Sequence, residues 1–259
     1  MDLSRALPKN WLVIGDSVTK GIILTDDGRY ETSDKNFMQI VADKLDGKVR
    51  NISIFGATVQ KGLQRFHRLR KNLPTEGLAF IEFGGNDCDF LWSDVGDDPS
   101  YPHEPNLTIQ RFRETYQELI LEIKEHGLVP ILLSLPPLDA ERYFNAFTNG
   151  FDQLKKAKIL EWLGGSVDAI YRWHEAYNDI IPELAHETGA TYIDIRQPFL
   201  LSRNPDRFIC EDGIHPNLKG HELIAETLKE SMTNRYEAIL KRANRLGQRF
   251  MPWFPGSND

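Results

Sequence analysis

Four short clusters in this chain carry side chains that together could perform acyl transfer: Gly15-Asp16-Ser17, Phe55-Gly56-Ala57, Gly84-Gly85-Asn86-Asp87 and Asp212-Gly213-Ile214-His215. That chemistry needs a nucleophile, a base, a group to hold the base, and donors for a tetrahedral oxyanion. Ser17 can attack, His215 can accept and return the proton, and Asp212 can hold the imidazole tautomer. Asp212 and His215 cannot face each other along a straight strand, but a turn through Gly213 folds the carboxylate back toward Nδ1. Pro216 restricts His215 to extended conformations. Asn86 offers an amide NH₂, Gly56 an unobstructed backbone N–H and Ser17 its own N–H, which makes three oxyanion donors. Each cluster alone has an ordinary alternative: Gly-Asp-Ser is usually a turn, Asn86 could cap a helix, and Gly56 could merely permit a tight turn.

These clusters must be held by strands and helices, and the hydrophobic pattern supplies them. Trp11 to Ile14, Val49 to Ile54, Leu78 to Phe83, Val129 to Leu133 and Thr191 to Ile195 read as strands. The first three run directly into Ser17, Gly56 and Asn86, at the carboxyl ends where open α/β sheets place their sites. Between them lie helical patterns. Phe37, Ile40, Val41 and Leu45 are predicted to follow a cap at Ser33 and end at a left-handed Gly47. Leu63, Phe66 and Leu69 mark a second helix, and Phe112 to Ile123 a third, ended by Gly127. Val167 to Leu184 form a long helix that Pro182 should kink or restart. Residues 196 to 214 read as loop, and Pro216 as the first residue of a helix bearing His221, Ile224, Ala225 and Leu228. The alternation predicts an α/β protein with three layers, α/β/α, and a five-stranded parallel sheet in the flavodoxin-like order 2-1-3-4-5.

Two insertions stand over the strand ends. Residues 88 to 106 are acidic and loop-like, and residues 137 to 166 carry Tyr143, Phe144, Phe147, Phe151 and Trp162, as expected of a lid or pocket wall. We expect one domain over residues 1 to 259, with its core at about 11 to 230 and a basic amphipathic helix and aromatic tail, Phe250 to Phe254, after it.

The ordered set of GDS, an isolated Gly after the second strand, GGND and DGIHP resembles the four blocks of the SGNH hydrolases, also called GDSL esterases/lipases, over about residues 11 to 230. The resemblance implies an α/β/α esterase with a Ser17, His215 and Asp212 triad, an oxyanion hole from Ser17, Gly56 and Asn86, and no metal or other cofactor. Val18 replaces the leucine of the family's short name, and Ser53 and Gly62 lie close enough to compete with Gly56 for the second block. No G-x-S-x-G elbow surrounds Ser17, which counts against the α/β-hydrolase fold.

The composition narrows the class further. The chain has 259 residues, of which 41% are hydrophobic and 27% charged, enough for a sizeable core. Its formal charge of −7 gives no basic face for nucleic acid or anionic lipid. The first apolar run is too short for a signal-peptide core or a membrane span, and Cys88 and Cys210 make no disulfide framework. The expectation is a cytoplasmic serine esterase for a small-molecule ester, acetyl or another short acyl group and possibly on a carbohydrate, with no homo-oligomer indicated. Its rivals are a metal-dependent phosphoesterase using Asp16, Asn86, Asp87, Asp212 and His215, or a binding protein on the same fold. Glu82, which interrupts an apolar strand, either tunes the site from below or, as we expect, bonds a neighbouring backbone N–H. The histidines at 67, 103, 126, 174, 186 and 221 lack matching partners and are expected at the surface or in the core. Cys88 and Cys210 are expected to stay separate thiols.

Overall fold

The structure is a computed structural model that describes residues 7–249; the aromatic segment 250–254 lies outside them. Chain order gives β1 (Asn10–Gly15), α1 (Ser17–Lys20), a hairpin of β2 (Ile22–Leu24) and β3 (Tyr30–Thr32), α2 (Phe37–Leu45), β4 (Lys48–Asn51), α3 (Val59–Leu69) and β5 (Gly77–Glu82). Then come α4 (Trp92–Asp97), α5 (Ile109–Glu125), β6 (Leu128–Leu133), α6 (Ala140–Phe147), α7 (Gln153–Trp162) and α8 (Asp168–Thr188). The last elements are β7 (Thr191–Ile193), α9 (Gln197–Leu200), α10 (Leu218–Asn234) and α11 (Tyr236–Arg249).

The main sheet runs β4-β1-β5-β6-β7 with every pairing parallel. Counting only its own strands, this is the order 2-1-3-4-5. Side chains alternate across the sheet because a strand repeats every two residues. Leu12, Ile14, Ala79 and Ile81 meet Phe66 of α3, Phe112 and Tyr116 of α5 and Leu184 of α8 on one face. Trp11, Val13, Leu78 and Phe80 meet Phe37 and Val41 of α2 and Ile224 and Leu228 of α10 on the other. Both faces are therefore covered, and β5 and β6 are buried along their whole length. A third apolar cluster lies outside the sheet, where Trp92, Ile159, Leu163 and Ile170 gather with Tyr143, Phe147, Trp162 and Trp173.

Several local expectations are corrected. Asn36 rather than Ser33 caps α2, its side chain accepting from the Gln39 N–H, while Ser33 Oγ accepts from Lys35 N in the preceding turn. The left-handed residue that ends α2 is Asp46, with φ of 56°. Gly47 is needed for space instead, since a Cβ there would lie 2.7 Å from the Trp11 ring. Pro182 sits inside an unbroken α8, because fully buried Ile181 and Leu184 hold the helix across the missing N–H. The loop at 196 to 214 contains α9 and a 3₁₀ turn, Pro205–Phe208. Pro216 bridges Ile209 in extended pairing, and Asn217 is the cap of α10. The acidic insertion holds one short helix, α4.

Candidate active site

β1 stops at Gly15 because no side chain fits there: a Cβ would come within 2.3 Å of Thr19 Oγ1 and 2.5 Å of the Glu82 carbonyl oxygen. Asp16 then caps α1, its Oδ1 accepting from the Val18 N–H at 2.8 Å. This turn leaves Ser17 at the first helical position, buried, with its own N–H in no hydrogen bond among the described residues.

His215 reaches Ser17 from the far end of the sequence. Its Nε2 lies 2.9 Å from Ser17 Oγ and its Nδ1 2.6 Å from Asp212 Oδ2. Asp212 Oδ1 accepts from the backbone N–H groups of Ile214 and His215, both at 3.1 Å. The Oδ2 contact with Nδ1 is the predicted fold-back, the backbone bonds brace it, and Gly213 makes the turn possible with φ of +79°. A side chain at Gly213 would strike Asp139 O and Tyr143 N at 2.5 Å, and Gly213 O accepts from Asp139 N. The Asp-His turn is thus packed against the start of α6. Pro216 contributes by pairing with Ile209, while Cys210 N donates to His215 O.

Burial alone would raise the Asp212 pKa, but the His215 hydrogen bond, the His215 charge and the two N–H donors outweigh it and hold it below the ordinary carboxylate value. The outer faces of the His215 ring meet Tyr30 edge-on, with centroids 5.3 Å apart, and Phe55 in a stack at 6.0 Å. Both aromatics are about half exposed.

Asn86 Nδ2 donates one hydrogen to Asp16 Oδ2 at 2.8 Å, so the amide is held beside Ser17 with its second hydrogen unassigned. Gly56 takes φ of +67°, a Cβ there would meet nothing within 4 Å, and its N–H is in no hydrogen bond among the described residues. Of its competitors, Ser53 Oγ is turned onto Thr19 Oγ1, and Gly62 lies inside α3 against the Phe83 ring.

The clusters therefore meet at one rim. Beside Ser17, His215 and Asn86 a cleft opens between Leu135, Leu138, Ile170 and the rings of Trp92, Tyr143 and Trp173. Its polar lining includes Asp89, which accepts from Trp92 Nε1, and His174. His174 is buried on α8, as a core position would be, but it also lines this cleft, and its Nδ1 has no partner among the described residues. Burial and the nearby Arg196 charge lower its pKa to about 3, so the ring is neutral. His221 does belong to the core, stacked on Phe37 and accepting from its N–H. Cys88 and Cys210 are free and have separate partners, the Gly85 carbonyl and the Leu24 backbone. The sequence did not single out Tyr30, Trp92 or Trp173, which stand on β3, α4 and α8 and reach the site only in space.

Below the rim lies a group of buried acids. Asp87 Oδ1 accepts from Val59 N, the first N–H of α3, and burial raises the Asp87 pKa to about 7. The folded state therefore holds a proton that an unfolded Asp, near ~3.9, releases. The associated stability is complete below that lower value and is lost as pH rises through about 7. Asp87→Asn keeps the acceptor for Val59, so thermal melts should show it above the wild type at pH 8 with the lead shrinking by pH 4. A lead independent of pH would contradict this reading.

Residues 13–223 match the model of the GDSL-like Lipase/Acylhydrolase family, and the chain belongs to that family. It is accordingly an ester hydrolase of the SGNH type. It is 24% identical over 231 residues to the uncharacterized lipoprotein YqeF of Bacillus subtilis (strain 168), covering 85% of this chain and 87% of that one. The fold resembles a lipase/acylhydrolase from Enterococcus faecalis, with TM-score 0.58, 22% identity, and coverage of 88% of this chain and 96% of that one. It also resembles a catalytic mutant of Axe2, an acetylxylan esterase from Geobacillus stearothermophilus, with TM-score 0.57, 18% identity, and coverage of 88% and 95%. Among the described residues no helix is long and apolar enough to cross a membrane, and no group of three or more His, Cys, Asp or Glu side chains could hold a metal ion.

Proposed function

We propose that the chain hydrolyses short acyl esters through an acyl-Ser17 intermediate. The observation that carries this is the position of His215, 2.9 Å from Ser17 Oγ on one side and 2.6 Å from Asp212 on the other. Ser17 Oγ attacks the ester carbonyl while His215 Nε2 takes its proton. The N–H groups of Ser17 and Gly56 and the free hydrogen of Asn86 Nδ2 hold the oxyanion. His215 then returns the proton to the leaving alcohol, and water attacks the acyl group with His215 again as base.

The substrate proposal is acetyl or another short acyl group on a polar, carbohydrate-like alcohol. Support comes from the aromatic walls set beside Asp89 and the His174 ring, whose Nδ1 has no partner among the described residues, and from the half-exposed Tyr30 and Phe55 next to His215. Rings flanked by hydrogen-bonding groups suit a sugar, which has apolar faces and a hydroxyl edge. The acetylxylan esterase resemblance points the same way. A cytoplasmic location belongs to the same proposal, supported by two buried cysteines that are unbridged. A metal-dependent phosphoesterase is disfavoured because Asp16 and Asp212 already spend both oxygens on protein donors.

The test is a panel of esters graded by acyl length and by sugar or lipid alcohol. The expected order is acetyl and short acyl sugar esters first, with kcat/KM falling as the acyl chain lengthens, unaffected by chelator and abolished by a fluorophosphonate. Chelator-sensitive phosphoesterase activity that survives labelling would overturn the proposal.

A further inference from the structure

Glu82 is a buried acid of the site whose presence neither the triad nor the oxyanion donors explain. It stands at the end of β5 directly opposite Gly15 in the parallel β1–β5 register, which places it beside Asp16. It is 1% exposed, lines the floor of the cleft, and its Oε2 has no partner among the described residues. The expected bond to a backbone N–H is not made among the described residues; strand register and burial instead set its carboxyl against that of Asp16, and the two interact electrostatically. Asp16 in turn spends Oδ1 on the Val18 N–H and Oδ2 on Asn86 Nδ2.

Two carboxyls set against each other require a proton on one of them, because two adjacent buried carboxylates repel in a low dielectric. Burial raises the pKa of both carboxyls, but at Asp16 the Val18 N–H, the His215 charge and the Asn86 amide pull back toward the anion, whereas at Glu82 the Asp16 and Asp87 charges push further upward. Tyr116, the remaining titratable neighbour, donates to the Ile81 carbonyl and stays neutral because burial raises its pKa. The proton therefore rests on Glu82, which can donate it to Asp16.

We propose that Glu82 is a positioning residue: it fixes the Asp16 carboxylate, which aims the Asn86 amide at the oxyanion. This rests on the esterase reading above and adds a residue outside the family's four blocks. Preorganised donors matter because they meet charge that develops only in the transition state, so a slackened Asn86 should cost turnover more than binding.

The experiment compares Glu82→Gln, which can still donate to Asp16, with Glu82→Leu, which fills the space but cannot. Glu82→Leu should lower kcat about 10- to 100-fold, short of the ~10²- to 10³-fold loss from deleting a donor outright, with KM within about threefold of the wild type. Glu82→Gln should restore kcat to within about threefold. In an Asn86→Ala background, Glu82→Leu should cost no more than about a further threefold, since both changes break the same unit. Wild-type kcat in Glu82→Leu, or losses that multiply with Asn86→Ala, would overturn the proposal. If thermal melts show that Glu82→Leu does not fold, Asp16→Asn tests the contact from the other end, and unchanged kcat there would overturn it equally. Ser17→Ala run alongside separates the outcomes: full activity in that variant defeats the esterase reading itself, not this inference alone.

Discussion

Replacing Ser17 with alanine should lower kcat for p-nitrophenyl acetate by about 10⁶-fold, the scale on which triad hydrolases lose turnover without their nucleophile, while leaving the melting temperature nearly unchanged. The fold should tolerate the change because the cap of α1 is the Asp16 side chain and, among the described residues, Ser17 Oγ bonds only to His215. What disappears is the covalent step. The oxyanion donors and the cleft remain, so a small residual rate above that in water is expected. Stoichiometric fluorophosphonate labelling of the wild type, absent in the variant, checks the same point without a substrate. Activity within tenfold of the wild type would remove Ser17 from the reaction.

How well each feature could be read from the sequence depended on how local its cause is. β1, β5 and β6 were plain because burial on both faces leaves mainly apolar runs, and the sheet order followed from strands alternating with helices. The meeting of Ser17, Asp212, His215 and Asn86 was equally plain, since each follows a strand or precedes a helix at the same edge. Helix caps were harder: Ser33 and Asn36 are both good caps, and only tertiary packing decides that Asn36 takes the role. Gly47 shows the converse, a glycine with a real purpose, clearance of Trp11, that looks like a helix stop. Glu82 was misread because its partner is fixed by inter-strand register, which brings together residues 66 positions apart. His174, Trp92 and Trp173 could not be recognised at all, because a single ring on a helix carries no mark of the cleft it lines.

Asp212→Asn should separate orientation from mere contact, and its effect should rank just below that of Ser17→Ala. Oδ1 in Asp212 accepts two backbone N–H groups, an arrangement that only an oxygen can satisfy. An asparagine must therefore keep its oxygen there and turn its NH₂ toward His215 Nδ1. That forces Nδ1 to accept, which places the ring proton on Nε2, the atom facing Ser17. A protonated Nε2 cannot take the serine's proton, so kcat should fall about 10³- to 10⁴-fold, with KM changed little. The Asp-His turn keeps both backbone bonds, so the melting temperature should fall only slightly, whereas Asp212→Ala should lose those bonds and melt lower. If Asp212→Asn kept its rate while Asp212→Ala lost it, Asp212 would serve the turn rather than the imidazole. An equally inactive pair with different melting temperatures would place its role in setting the His215 tautomer, as the 2.6 Å contact implies.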